Sequence, residues 1–205
     1  MKTNKLYLLI IVLMELFALI AQLVLLLQAA RLPLAEAITR YFSYYTILTN
    51  IIVGVYAAVQ CFTPADKRTG FFFRPSVETA ITLYITIVGL VYTLVLRQLW
   101  SPQGLQAVVD DILHTIVPAM ILFYWWRWVA TRRLKYSNIP FWLIYPAVYA
   151  LIILIRGHFA GWYPYPFLDV LQYLYGRVMI NCLLLLLFFI LFSSLFVWAG
   201  KKKAR

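Results

Sequence analysis

Long apolar runs dominate the chain, broken only by short clusters of proline, glycine and charge. About 20 mostly apolar residues in helical form cross a hydrocarbon core. Six stretches meet that length or approach it: Leu6 to Ala30, Tyr41 to Phe62, Ser76 to Leu96, Ala107 to Val129, Pro140 to Ile155 and Leu171 to Trp198. The fifth is the shortest, and the sixth, with the run Leu183 to Leu187, is the most apolar. The first run far exceeds the roughly 7–15-residue core of a secretory signal, so a retained anchor is expected and no cleaved leader. Pro33, Pro64, Pro75, Pro102 and Pro140 fall between or at the starts of these runs, where a missing N–H costs little. With no internal repeat and no long linker, the pattern predicts an all-α integral membrane protein. Residues 1–205 are expected to form one domain of six transmembrane helices.

Composition strengthens this reading. Of 205 residues 64% are hydrophobic and 12% charged, against roughly 45–50% and 25% in soluble domains. The net charge of +11 would suit nucleic acid if gathered on one solvated face, but it lies in short segments between apolar runs, so no nucleic-acid partner is expected. Thirteen of the 18 basic residues fall on one side of the predicted spans, from Lys2 and Lys5 through Lys67, Arg68 and Arg74 to Arg127, Arg132, Arg133, Lys135 and the Lys201–Arg205 tail. The other side holds Arg31, Arg40, Arg97, Arg156 and Arg177. The positive-inside rule then predicts both termini in the cytoplasm and a multi-pass protein of the cell membrane. Trp100, Trp162, Tyr163 and Tyr165 on one side, and Trp125, Trp126, Trp128 and Trp142 on the other, read as interfacial belts. Cys61 and Cys182 lack metal-site or disulfide spacing and read as small apolar residues.

Ionisable groups inside spans are costly, so each begins as a site candidate. Glu15, His114 and Arg177 stand in this class, with Thr46, Asn50 and Asn181 as uncharged companions. Spans two, four and six all enter from the non-cytoplasmic side. At about 1.5 Å per residue, Thr46, His114 and Asn181 lie roughly 8, 10 and 15 Å deep, a shared layer in the outer half of the bilayer. Asn50 is one turn below Thr46, and Asp110 one turn above His114. Pro118 lies four residues after His114 and deprives the His114 carbonyl of its helical donor, so a bend is expected there. Hydroxyl, imidazole, carboxylate and amide together are the inventory of nucleophilic acyl chemistry, with base, orienting acid and oxyanion donor supplied in turn.

Structural roles compete with each of these. A membrane threonine bonds back to the carbonyl four residues earlier, here Phe42, and histidine or asparagine can serve as interhelical hydrogen-bonding glue. Asp110 and Asp111 suit a helix start, and Arg177 can snorkel outward. Glu15 has no partner that the sequence identifies. Gly157 and Gly161, beside Pro164 and Pro166, read as loop rather than as a packing motif. Tyr163, Tyr165 and Phe167 suit either a belt or the mouth of a site.

Three stretches carry a resemblance: Arg40-Tyr-Phe-Ser-Tyr-Tyr-Thr46-Ile-Leu-Thr-Asn50, Asp111-Ile-Leu-His114-Thr-Ile-Val-Pro118 and Tyr163-Pro-Tyr-Pro166-Phe-Leu-Asp169. Together with span number and order, they resemble the bacterial branch of the androgen-induced-gene family of membrane hydrolases. The resemblance implies an intramembrane threonine hydrolase acting on lipidic esters, such as fatty acid esters of hydroxy fatty acids. Thr46 matches the nucleophile and His114 the base, with Thr49 as the near rival to Thr46. The roles of Asn50 and Asp110 rest on spacing rather than on the resemblance. No cofactor or metal is implied, since the histidine and carboxylates do not form a ligand set of recognised spacing. Two other readings stay open: a carrier using Glu15, His114 and Arg177 as a relay, and a non-catalytic scaffold locked by its polar residues.

Overall fold

The computed structural model describes residues 2–29, 32–99 and 101–203. Ala30, Arg31, Trp100 and Arg205, which enter the span, charge and belt expectations, lie outside them. Among the described residues, six helices are long and apolar enough to cross a membrane, and none of the regular structure is strand. The chain forms two compact units, the first running through Thr131 and the second starting at Arg132.

The first unit opens with α1 (Lys2–Ala29), then a short helix α2 (Leu34–Tyr41) and α3 (Tyr45–Phe62). Next comes α4 (Pro75–Val91), extended by a π turn over Tyr92–Leu96. The fourth span is compound: α5 (Leu105–Asp111), a π turn over Ile112–Ile116, and α6 (Val117–Trp128). The core of this unit has Val53, Tyr56 and Ala57 on α3 and Val117 and Ile121 on α6 buried at helical spacing, while α4 is buried all round from Glu78 to Ile85. Outer faces of α1 and α6 keep Leu, Ile and Phe exposed, as lipid-facing surfaces do.

The sequence expectation of one continuous second span from Tyr41 does not hold. Phe42, Ser43 and Tyr44 interrupt it, and α3 begins at Tyr45. Glu36 and Arg40 pair at 2.7 Å on α2, giving this short helix a polar face, while Tyr41 turns inward and donates to the Leu19 carbonyl at 2.8 Å. Trp125 and Trp142, expected in an interfacial belt, are buried; the Trp125 indole donates to Thr79 Oγ1 at 2.8 Å, which satisfies its one polar atom inside the bundle.

The second unit contains α7 (Ile139–Ala160) and α8 (Val170–Lys203). Counting its opening 3₁₀ turn, the fifth span covers 25 residues, Tyr136–Ala160, so it is not the shortest; that is the second, with 18. Arg156 and His158 had masked its last turns by lowering the local hydropathy. Gly157 is helical rather than loop, and the Tyr163 ring packs where its Cβ would stand. Gly161 takes the left-handed cap at φ 62°, with its N–H bonded to the Gly157 carbonyl at 2.9 Å.

Candidate active site

His114 sits in the π turn of the fourth span, and that turn governs its surroundings. Val117 N–H bonds five residues back, to Ile112. In this register the next bond would run from residue 118 to Leu113, but residue 118 is proline. Pro118 thus offers no N–H to the Leu113 carbonyl in the π register, just as it offers none to the His114 carbonyl in the α register. The Asn50 amide reaches that carbonyl at 3.4 Å while donating to the Thr46 carbonyl at 2.8 Å. Asn50 thus ties the turn carrying Thr46 to the turn carrying His114. Both of its N–H₂ hydrogens serve backbone carbonyls, which takes them away from the oxyanion role that spacing had offered.

Close helix approach makes this junction possible. A Cβ on Gly89 of α4 would stand 2.9 Å from the His114 carbonyl oxygen and 3.3 Å from Pro118 Cβ. Only glycine lets α4 meet the fourth span at this level.

The imidazole is fixed on one edge and one face. Nδ1 lies 2.9 Å from the Asp110 carbonyl oxygen and 3.4 Å from Asp110 Oδ1. A carbonyl only accepts, so Nδ1 carries a proton in this bond, and in the neutral ring the lone pair is then on Nε2. Tyr92 stacks on the ring with centroids 4.0 Å apart and planes 19° apart, and its hydroxyl donates to Asp110 Oδ2. Asp110 therefore steadies the histidine and is itself held by Tyr92. Sequence reasoning missed Tyr92. Its only signal was a tyrosine near the outer end of the third span, and a π turn that the periodicity does not show aims it at His114.

Thr46 stands in the first turn of α3, and Tyr44 at its start offers no side-chain cap. The first backbone bond from four residues back runs from Leu48 N–H to Tyr44 O at 3.2 Å, so the positive end of the helix lies at Thr46. Asn50 is five residues into α3 and Leu113 eight into its span, and the two touch. At 1.5 Å per residue α3 thus begins roughly 5 Å further along the helix axis than α5. Thr46 keeps 8% of its surface exposed and Thr49 none, a difference that favours Thr46 as the group a ligand can reach.

The remaining candidates lie elsewhere. Asn181 and Arg177 belong to α8 in the second unit; Asn181 donates to the Phe167 carbonyl at 2.9 Å and so pins the preceding loop, and Arg177 is exposed. In that loop Tyr165 and Phe167 stack at 5.2 Å, nearly parallel, and Tyr163 is buried against Gly157. Glu15 is buried on α1 in the first unit, opposite Gly54.

No protein-family model, curated protein or solved structure matches this chain.

Proposed function

We propose that the protein is an intramembrane hydrolase of lipidic esters, with Thr46 as nucleophile and His114 as base, and with both chain ends in the cytoplasm of a cell that carries it in the plasma membrane. The observation that carries this reading is the bond of His114 Nδ1 to the Asp110 carbonyl, which in the neutral ring leaves the lone pair on Nε2. That histidine stands on a turn tied through Asn50 to the turn of Thr46.

An ester carbonyl placed beside Thr46 meets Oγ1 as it gives its proton to Nε2. Carbon–oxygen bond formation yields a tetrahedral oxyanion at the positive end of α3, where backbone N–H groups favour negative charge. The imidazolium returns its proton to the leaving alcohol oxygen, the ester bond breaks and acyl-Thr46 remains. Water then attacks the acyl carbon, Nε2 takes its proton, Thr46 Oγ1 recovers one, and the free fatty acid leaves. Asp110 and Tyr92 act by holding the ring. An ester dissolved in the bilayer reaches such a site between helices more readily than one dissolved in water.

The test is labelling of the purified, detergent-solubilised protein with a fluorophosphonate, together with turnover of a long-chain ester. The parent and Thr49→Ala should label and turn over, whereas Thr46→Ala and His114→Ala should lose both by a factor of about 10² or more while keeping the parent's thermal stability. A folded parent that neither labels nor turns over would favour a carrier or scaffold.

A further inference from the structure

The acyl-Thr46 intermediate has to meet water inside a bundle whose surroundings are apolar, and one feature of the first unit bears on this. Glu15, near the middle of α1, is 1% exposed, and neither of its carboxyl oxygens meets a hydrogen-bond partner in the protein. Asn50 on α3 is fully buried; its amide hydrogens are committed to Thr46 and Leu113, while its Oδ1 has no donor. These unmet groups share one seam. Gly54 faces Glu15, a Cβ there lying 3.5 Å from Glu15 Cβ and 3.9 Å from its Cγ. Asn50 is one turn from Gly54 on the same stripe of α3, about 6 Å along the axis.

A carboxyl left without partners in a membrane core is selected against unless it binds something. A carboxyl and an amide oxygen that both lack donors, on one seam beside a position with no side chain, suit water, which brings two O–H donors. We propose that Glu15 and Asn50 Oδ1 form a binding site for water on the α1–α3 seam, and that this site supplies the water which resolves acyl-Thr46. The second half of the proposal rests on the hydrolase reading. Asn50 bonds the Thr46 carbonyl through its amide nitrogen, so water held at its Oδ1 lies on the helix that carries the acyl group. Its oxygen attacks the acyl carbon, its proton passes to His114 Nε2, the carbon–Oγ1 bond breaks, and the proton returns to Thr46.

Glu15→Leu and Glu15→Gln, with Gly54→Val to fill the seam from its opposite wall and Gly54→Ala as a control that fits at ordinary contact distance, separate the two halves. With an activated long-chain ester, Glu15→Leu and Gly54→Val should acylate at the parent rate, accumulate acyl-enzyme by intact mass, and deacylate about tenfold or more slowly. Glu15→Gln and Gly54→Ala should stay within about threefold of the parent. Infrared difference spectra in H₂¹⁶O and H₂¹⁸O read the site without turnover: the parent should show a water O–H band that Glu15→Leu and Gly54→Val lose. Parent-like deacylation in folded Glu15→Leu overturns the supply role, and absence of an isotope-sensitive band that depends on Glu15 overturns the site. If the parent never acylates, the hydrolase reading falls and the supply role with it, while the water band still decides the binding site.

Discussion

At the scale of the residue, the chemistry depends on how firmly His114 is held. Asp110 bonds its Nδ1 edge, Tyr92 covers one ring face, and the Tyr92 hydroxyl closes the set on Asp110. Tyr92→Phe keeps the stacked ring but removes the hydroxyl, so ester turnover should fall about tenfold in kcat with KM little changed, equivalent to roughly 1.4 kcal/mol of barrier. An unchanged kcat would show that Asp110 needs no such support. Gly89 sets a different limit. In Gly89→Ala the new Cβ would meet the His114 carbonyl oxygen at 2.9 Å, and backbone cannot give way as a flexible side chain does. A loss of about 1–3 kcal/mol is expected, seen as a lower unfolding temperature in detergent. Polar residue types in apolar runs were readable in the sequence at Thr46, His114, Asn50 and Glu15. Their division of labour was not, because which N–H or carbonyl each one meets depends on a neighbouring helix.

Among the elements, the π turns of the third and fourth spans shape the site. Pro118 removes the N–H that would close on Leu113 in the π register, and Asn50 replaces it. Pro118→Ala restores a donor inside the fourth span and competes with Asn50 for that carbonyl. Thermal stability should hold or rise while ester turnover falls, since the turn of His114 loses its tie to the turn of Thr46; a stabilised variant with parent activity would separate the tie from function. In the second unit, α8 has a break at Leu174, whose φ of 59° and ψ of 159° suit glycine. Leu174→Gly should therefore raise stability by about 1 kcal/mol, measurable by thermal unfolding. The spans themselves were legible because lipid demands long apolar runs. The break at Phe42–Tyr44, the π turns and the extension of α7 past Arg156 were not. The break and the extension go with tertiary contacts, Tyr41 bonding Leu19 and Tyr163 packing on Gly157, and hydropathy along the chain records neither these nor a change of helical register.

At the scale of the whole molecule, the six apolar helices make the chain a multi-pass membrane protein in character, and the basic residues argue for its orientation. The segment 63–74, the segment 129–135 and the end after Lys203 share one predicted side. Single cysteines placed there in a background lacking Cys61 and Cys182 should be shielded from impermeant maleimide in intact cells, and those near residues 102 and 164 should be labelled. The reverse pattern would invert the assignment and put the site in the inner half of the bilayer. Hydrolysis by this bundle requires Thr46 to become acylated. Its most direct test is tandem mass spectrometry of the parent protein trapped with a lipid-tailed fluorophosphonate, which locates the adduct on a single side chain. An adduct on Thr46 that disappears in His114→Ala is the predicted result. An adduct confined to Thr49 or to any other residue, or no adduct on folded protein, would contradict the account.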